Sequence, residues 1–362
     1  MGFKAGVCLL AGTLILGTGV SKALSFSPGN FFKKMSVNGA VSIYTVAGSK
    51  VTSSDKSINY DVGSAMIELS KTSSTVGFDV LAGSYAFPVV GAGFSSTVDC
   101  TKIFSPLPVA YVSVKPSKGW EVMLGRMPTI IGYESAFTYQ NDFVERGLVW
   151  NMQPVLHDGI RIKRNYDNFS FTLGVNDGYY SASSKTSSGS LIISPAVEAS
   201  LGYSFKNGSV AFNTLIPSKS ARPNNTADPA NKEEFDITGS YSFGKLSLGL
   251  DGLYVYAPKD DKAGVAEKAT AYGIAAYGSY DISPFTLGLR IEYVKDNSDN
   301  ANVDLVGIGD GNSAETVTFG IKYTQGEFFV KGETSLVIAD KNFTSDNKKT
   351  VTRAAIETGI NF

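Results

Sequence analysis

The feature that most constrains this 362-residue chain is a two-residue alternation of apolar and polar side chains that recurs up to its C-terminus. In the last segment, one face carries mainly apolar residues and the other is polar or small: Ile360, Thr358, Ile356 and Ala354 against Asn361, Gly359, Glu357 and Arg353. A period of two indicates a β-strand, because successive side chains point to opposite faces. A strand with one apolar and one polar face suits a boundary between lipid and water.

Earlier segments repeat this alternation and are separated by two kinds of connection. The clearest segments are 169–175, 235–243, 285–293 and 317–323. Seven short connections lie near residues 70–75, 115–119, 165–168, 206–208, 243–245, 281–284 and 325–326. Eight long polar connections alternate with them, near residues 49–58, 90–103, 128–157, 178–190, 217–232, 258–268, 296–314 and 339–349.

This order predicts an all-β fold, a transmembrane antiparallel up-and-down β-barrel of about sixteen strands that fills residues 35–362. Both chain ends and the short turns are then expected on the periplasmic side, with the long loops facing outward. The bounds on the strand count are fourteen and eighteen. They are set by the weak segment 60–69 and by Pro106, Pro108 and Pro195, because proline removes a ladder donor.

Aromatic residues support the same register. Seven of them share the apolar face and lie close to a short turn or to the C-terminus: Trp120, Phe169, Phe205, Phe243, Phe285, Phe328 and Phe362. Aromatic side chains at the headgroup level form the interfacial girdles of membrane barrels. A soluble all-β domain is the alternative, but it gives no reason for aromatic residues to collect at one end of every hairpin.

The N-terminus predicts export. Lys4 precedes an apolar stretch over residues 5–20, and small residues flank Lys22 at a cleavage site after Ala23. Residues 1–23 are therefore expected to be a cleaved signal peptide, and residues 24–34 a short linker. No later apolar run is long enough for a membrane helix.

Charge and composition exclude several function classes. Two of the 32 basic residues lie in the signal peptide, which leaves 30 against 33 acidic residues and gives no footprint for nucleic acid. The single histidine, His157, and the single mature cysteine, Cys100, are too few for a metal site, and no cofactor motif is present. His157 has no partner at triad spacing, so we expect a structural residue and not an enzyme. Cys100 is either a lone loop thiol or an intermolecular partner.

The third long connection, 128–157, is the strongest candidate for a functional element, since it is too long to be an idle link. It is rich in aromatic residues and contains Glu134, Asp142, Glu145 and Arg146. Such a loop has apolar area to bury, so it folds either into the barrel lumen or over its mouth as a cap. In the inward arrangement it constricts the pore.

Alternation also predicts which charges face the lumen. Basic candidates are Arg161, Lys163, Arg290, Lys322, Lys331 and Arg353, and acidic candidates are Glu121, Glu198, Asp236, Asp251, Glu292, Glu333 and Glu357. In a ring of sixteen strands, Arg290 and Lys322 stand across from the strands that hold the loop. The predicted constriction therefore sets Glu134, Asp142 and Glu145 of the loop against these two bases, with Arg146, Arg161 and Lys163 nearby, and creates a transverse field.

An ordered set of motifs between residues 105 and 205 resembles the OmpL-like β-barrel porin family. The set consists of Gly125-Arg126-Met127-Pro128-Thr129, Ile131-Gly132-Tyr133-Glu134, Asn141, Arg146, His157-Asp158-Gly159-Ile160-Arg161 and Gly174-Val175-Asn176-Asp177-Gly178. The resemblance implies an outer-membrane channel and supplies no substrate. The terminal Phe362 also resembles the C-terminal residue that the barrel-assembly machinery reads. Arg126 falls on the lipid side by alternation, so either it lies at the rim or its strand ends before Pro128.

We therefore expect a bacterial outer-membrane porin for passive diffusion of small hydrophilic solutes and ions. The alternative is a structural or adhesive barrel with a plugged lumen, whose surface loops bind a partner. Besides outer-membrane lipids and the assembly machinery, a homotrimer is an expected partner state. Apolar-face residues that could allow close contact are Gly39, Gly239, Gly278 and Ala355.

Overall fold

The structure is a computed structural model that describes residues 35–73, 75–178, 195–218, 231–261, 265–299 and 301–362. The predicted signal peptide and linker lie outside these ranges. So do most of the connection predicted near 178–190 and most of the one predicted near 217–232.

Sixteen antiparallel strands form a closed barrel in which each strand pairs with its sequence neighbours and β1 pairs with β16. The strands are β1 (Met35–Gly48), β2 (Ile58–Lys71), β3 (Val76–Tyr85), β4 (Val109–Val114), β5 (Trp120–Pro128), β6 (Leu156–Tyr166), β7 (Phe169–Asn176), β8 (Ala196–Phe205), β9 (Gly208–Pro217), β10 (Glu233–Phe243), β11 (Leu246–Ala257), β12 (Ala269–Ile282), β13 (Phe285–Asn297), β14 (Ser313–Gln325), β15 (Phe328–Ala339) and β16 (Thr350–Asn361). The predicted barrel and strand count are confirmed. The weak segments are strands, because Pro106, Pro108 and Pro195 all lie just before a strand begins.

Short turns join the strands at one end of the barrel and long connections join them at the other. We call these the short-turn end and the long-loop end. Four connections at the long-loop end are used below: L1 (49–57), L2 (86–108), L3 (129–155) and L7 (298–312). L2 contains helix α1 (Thr97–Phe104), and L3 contains a 3-10 turn (Thr138–Gln140) and helix α2 (Leu148–Asn151). Within the described ranges, no helix has the length and apolar content needed to cross a membrane.

The outer face of the barrel is apolar. Outward side chains such as Leu124, Ile291 and Ile356 are about half exposed, while their sequence neighbours face inward. The seven aromatic residues expected near the short turns are all exposed on this face. An apolar surface that surrounds the whole ring is what lipid contact requires.

The inner face changes character along the barrel axis. On β15, for example, the inward residues from the short-turn side are Phe329, Lys331, Glu333 and Ser335, followed by Val337 and Ala339 near the long-loop end. β11 and β16 repeat the order, so charged side chains form a belt at mid-height with small apolar side chains above it. Glu234 of β10 and Asp296 of β13 are buried acidic residues that lie beyond the belt. The charged belt comprises Asp236, Asp251, Arg290, Glu292, Lys331, Glu333, Arg353 and Glu357.

One facing assignment from the sequence requires correction, and one of the two alternatives for Arg126 is excluded. Ala355 is not on the lipid face: it is buried between Arg353 and Glu357 in chain order, on the inner face, and packs near Tyr44. Arg126 does not mark a broken strand, because β5 continues to Pro128. Its guanidinium is buried near the end of β5 and forms two hydrogen bonds, of 2.8 and 2.6 Å, to the carboxylate of Asp158.

Candidate functional site: the loop-filled lumen

L3 folds into the barrel and is held there by wall carboxylates that accept its backbone N–H groups. The N–H groups of Gly132 and Tyr133 donate to Asp236 and Asp251, at 3.2 and 3.0 Å. Near the other end of the loop, the side-chain amide of Gln153 also donates to Asp251, at 2.9 Å. Both ends of L3 are thus fixed to neighbouring strands, β10 and β11.

The middle of L3 is fixed to the far wall in the same way. The two oxygens of Glu333 accept the N–H groups of Val144 and Glu145, at 2.6 and 2.9 Å. Glu292 accepts the N–H of Val149 at 3.1 Å. Hydrogen bonds to charged acceptors contribute about 1.5–3 kcal/mol each, so these contacts favour one docked position of the loop.

The three acids predicted for the constriction form ion pairs with the wall. Glu134 lies 2.7 Å from Arg290, Asp142 lies 3.3 Å from Lys322, and Glu145 lies 3.1 Å from Arg353. The first and third pairs are buried, and the second is partly exposed. Burial raises the pKa of Glu134, and the nearby guanidinium of Arg290 opposes that shift.

Arg290 is the hub of this network. Its side chain is fully buried and also approaches Glu292, at 3.3 Å, and the carbonyl oxygen of Glu145, at 2.9 Å. Its guanidinium carbon lies 4.9 Å from the ring centroid of Phe143. The base therefore contacts L3 through a carboxylate, a carbonyl and an aromatic face.

Arg146 does not face the wall but joins L3 to L2. Its backbone N–H donates to Pro88 at 2.8 Å and its carbonyl accepts from Val90 at 2.9 Å. Its fully buried guanidinium lies over the rings of Phe87 and Trp150, 5.9 and 5.5 Å from their centroids. L2 thus closes over L3 from the long-loop end.

The remaining two predicted site residues lie on β6, away from the L3 ion pairs. Arg161 is buried and binds Glu198 through two hydrogen bonds, of 2.6 and 3.0 Å. It also donates to the carbonyl of Pro128, where L3 begins. Lys163 is half-buried on the inner face of β6, opposite Glu121 of β5.

Sequence reasoning placed the belt residues on the inner face but did not identify their partners. Lys331 lies 2.7 Å from Glu357 and donates to the carbonyl of Thr138 at 2.7 Å, and the Thr138 hydroxyl donates to Glu357 at 2.6 Å. The two contacts with Thr138 join residues that are 193 and 219 positions apart in the sequence. Nothing local in the sequence signals such partners.

An apolar layer fills the lumen above the charged belt. It combines wall residues with residues of L3 and L7: Leu253, Val255, Val294, Val337 and Val351 with Leu148, Val149, Met152, Val303, Leu305, Val306 and Ile308. All are buried. The sequence contains a signal for this layer in continuous apolar runs such as Leu253-Tyr254-Val255-Tyr256-Ala257. A strand with two apolar faces must be covered on both sides.

His157 and Cys100 are buried structural residues. The imidazole of His157 lies 3.0 Å from the carbonyl of Gly178 and 3.3 Å from the hydroxyl of Thr129. The Cys100 thiol lies in α1, 3.0 Å from the Ser95 hydroxyl, and burial raises its pKa. Within the described ranges, no cluster of three or more His, Cys, Asp or Glu residues could hold a metal ion.

Comparison with known proteins decides the family. A family model described as "Putative beta-barrel porin-2, OmpL-like" matches residues 34–362. The chain belongs to this OmpL-like porin family. The family and the fold together mark it as a channel-forming barrel of the outer membrane.

Solved outer-membrane proteins share the fold of this OmpL-like porin. Salmonella typhi OmpF, in complex with daunomycin, is 14% identical with a TM-score of 0.61, covering 91% of this chain and 97% of its own. Vibrio cholerae OmpT is 14% identical with a TM-score of 0.59, covering 91% and 97%. An anion-selective porin from Comamonas acidovorans is 12% identical with a TM-score of 0.56, covering 90% and 98%. No curated protein sequence matches significantly.

Proposed function

We propose that this porin lets small hydrophilic solutes and ions diffuse passively across the outer membrane through a bore that L3 narrows. In this proposal the short-turn end faces the periplasm and the long-loop end faces outward. A sixteen-stranded barrel belongs to the size class whose lumen holds an aqueous channel. L3 then decides how much of that lumen stays open.

The observation that carries the proposal is that the ion pairs and carboxylate hydrogen bonds of L3 reach one side of the barrel. They reach Asp236 on β10 and Asp251 on β11, and then Arg290, Glu333 and Arg353 on β13, β15 and β16. Against β2, β3 and β4 the described part of the loop has no ion pair: the Thr138 hydroxyl lies 3.3 Å from the Ser64 hydroxyl, and Phe137 and Trp150 pack in one buried cluster with Met66 and Leu81. A cavity of about 310 Å³ remains on this side. Passage along that side leaves the ion-paired network intact and requires only displacement of the packed rings of Phe87, Phe137 and Trp150.

Planar-bilayer conductance tests the proposal, with a shortened loop as the comparison. The N–H of Gly147 lies 2.8 Å from the Glu134 carboxylate, so residues 136–145 can be replaced by two glycines without pulling the ends of L3 apart. We expect a small unit conductance for the wild type and a larger one for the shortened loop, because the bore then relaxes toward the full lumen. Two non-conducting proteins would refute the proposal.

The apolar layer favours the second candidate function, a structural or adhesive barrel closed by its own loops. Packed Leu253, Val255 and Val294 exclude water from the long-loop half, which a wide aqueous pore does not need. If the wild type shows no conductance in planar bilayers and the shortened-loop variant conducts, this second function is supported.

The proposal also includes export and assembly. We propose that cleavage after Ala23 exposes Leu24 as the mature N-terminus, that Phe362 is read by the barrel-assembly machinery, and that the mature porin trimerises. The mass of the protein purified from outer membranes tests the first point, and light scattering in detergent tests the last. An intact leader or a monomer only would contradict them.

A further inference from the structure

The cavity beside L3 has a wall of polar residues from three strands. Asp79 of β3 lies directly opposite Tyr111 of β4 and opposite Ser70 of β2, two positions after Glu68. Glu68, Asp79 and Tyr111 all line the cavity of about 310 Å³. Diagonal neighbours on one face of a sheet lie roughly 7–8 Å apart, so the carboxylates of Glu68 and Asp79 both face the cavity.

The opposite wall of the cavity is aromatic and comes from L3. Tyr133, Phe137 and Trp150 contribute rings, and Ser135 and Gln140 contribute polar groups. With Tyr111, four aromatic side chains thus surround the space. Aromatic faces attract cations through their ring quadrupole.

The charges around the cavity have one sign. Its lining includes Glu68, Asp79 and Glu134 but no lysine or arginine. Glu134 is already paired with Arg290. The carboxylate of Glu68 accepts from the side-chain amide of Asn38 at 3.0 Å and shares a side-chain hydrogen bond with Asp79, so neither of these partners is a cation. Glu68 and Asp79 therefore leave a negative potential in the cavity.

The acids of the cavity face the short-turn end, and its other end reaches the base of L3, where Pro128, Pro154 and Leu156 line it. Glu68, Asp79 and Tyr111 are each three residues from the short-turn end of their strand. Behind the cavity, Phe87 of L2 packs on Phe137 and Trp150, with ring centroids 5.9 and 5.8 Å apart. A solute from the short-turn end meets the acids first and the aromatic barrier second.

We infer that this cavity binds small monovalent cations of the ammonium type and gives the channel a preference for cations. The carboxylates supply the charge, and Tyr111, Tyr133 and Trp150 supply aromatic faces to a desolvated cation. The volume lies at the lower end of the range for small-molecule sites. As a statement on permeation, the inference rests on the proposed function.

The first test is the reversal potential in a KCl gradient. The double variant Glu68→Gln, Asp79→Asn should lower the cation-to-anion permeability ratio by about fivefold, the effect of one unit charge at 4 Å in water. The matched control Glu121→Gln removes an inward carboxylate that does not line the cavity but acts electrostatically on Tyr111 from outside it, and should lower the ratio less than the double variant does. A conducting wild type whose ratio survives the double substitution would overturn the inference and leave the proposed function intact.

The second test needs no conductance and uses Trp150 as the probe. A Trp120→Phe background leaves Trp150 as the only tryptophan. In detergent, cationic N-methylpyridinium should quench its fluorescence more than iodide does, and the Glu68→Gln, Asp79→Asn change should remove the difference. If the wild type proves silent in bilayers, the proposed function fails, yet this charge-dependent quenching still supports the cation site. Equal quenching by both ions would overturn the site.

Discussion

At the scale of single residues, Arg290 shows how the lumen distributes its charge. It is fully buried with Glu134 and Glu292 beside it. An isolated buried charge is costly, whereas one that is paired and hydrogen-bonded is tolerated. Each member of such a network therefore depends on the others, and removal of one leaves a neighbour buried without compensation.

We predict that Arg290→Met weakens L3 docking by about 3–5 kcal/mol, the usual effect of breaking a buried pair. The thermal unfolding midpoint should fall and the unit conductance should become noisy or larger. The control is Lys341→Met, which removes the exposed pair with Asp299 and should change stability by less than about 1 kcal/mol. Equal effects of the two substitutions would refute the role given to Arg290.

A second residue-scale prediction concerns the loop acids. The triple variant Glu134→Gln, Asp142→Asn, Glu145→Gln removes one carboxylate partner each from Arg290, Lys322 and Arg353. Among the described residues, Arg290 then keeps only the carboxylate of Glu292, and Arg353 keeps only that of Asp55. Ion selectivity should move toward anions, because the surviving bases dominate the local potential. Reversal potentials measure this, and unaltered selectivity would contradict the placement of these pairs at the constriction.

Whether a side chain points inward or outward was largely predictable from the sequence, whereas its hydrogen-bond and ion-pair partners were not. Alternation correctly placed Arg290, Glu333 and Glu357 inward. It could not show that they hold L3, because those contacts join distant parts of the chain. Arg126 shows the limit of alternation: a charge on the outward parity is buried by pairing with Asp158 near the end of β5.

At the scale of elements, Asp55 connects L1 with L2. Its carboxylate accepts the N–H groups of Val51 and Thr52 within L1, at 2.9 and 3.0 Å, and that of Phe94 in L2 at 3.0 Å. Burial acts to raise the pKa of Asp55, but these N–H donors outweigh it and leave the pKa below its ordinary value. The charged form therefore stabilises the docked loops.

We predict that Asp55→Asn speeds amide hydrogen exchange at Phe94 at pH 7. Since the pKa is lowered by docking, the stabilisation is fully present above the ordinary value of 3.8 and is lost as pH falls below it. The difference between variant and wild type should shrink over that acidic range. Asp346→Asn, in an exposed loop, is the control and should not affect Phe94.

The elements themselves were predictable, since strand alternation and turn residues are local signals. The prolines limit only where strands begin, because Pro106, Pro108 and Pro195 come before β4 and β8. The docking of the loops was harder to predict from the sequence. The aromatic content of L3 indicated that it packs, but only the structure distinguishes the lumen from an external cap. The part played by L2, through Phe87, was not foreseen.

At the scale of the whole molecule, the barrel closes where its two ends meet. The backbone of Phe362 exchanges two hydrogen bonds with Gly39, of 2.8 and 3.0 Å. A Cβ on Gly39 would lie 2.5 Å from the Phe362 ring and 2.6 Å from the carbonyl of Met66. The small residue is thus required for the terminal aromatic ring to lie against the seam.

We predict that Gly39→Val slows barrel closure and lowers the yield of folded protein. The heat-modifiable shift in gel mobility measures the folded fraction. Gly239→Val is the matched control, since a Cβ there meets nothing closer than 3.9 Å. Equal folding of both variants would show that the Gly39–Phe362 contact does not limit closure.

The apolar layer sets how substitutions are tolerated along a single strand. In the short-turn half of β11, Leu248 and Leu250 face outward while Ser247 and Gly249 face the lumen. Ser247 therefore accepts other polar residues, whereas a Cβ at Gly249 would lie 2.4 Å from the Tyr133 ring and restricts that position to glycine. Beyond Asp251, lipid contacts one face and the packed loops cover the other, so no position accepts a polar residue. A deep mutational scan should therefore show a two-residue rhythm of apolar and small or polar positions that disappears halfway along the strand, where selection acts on both faces at once.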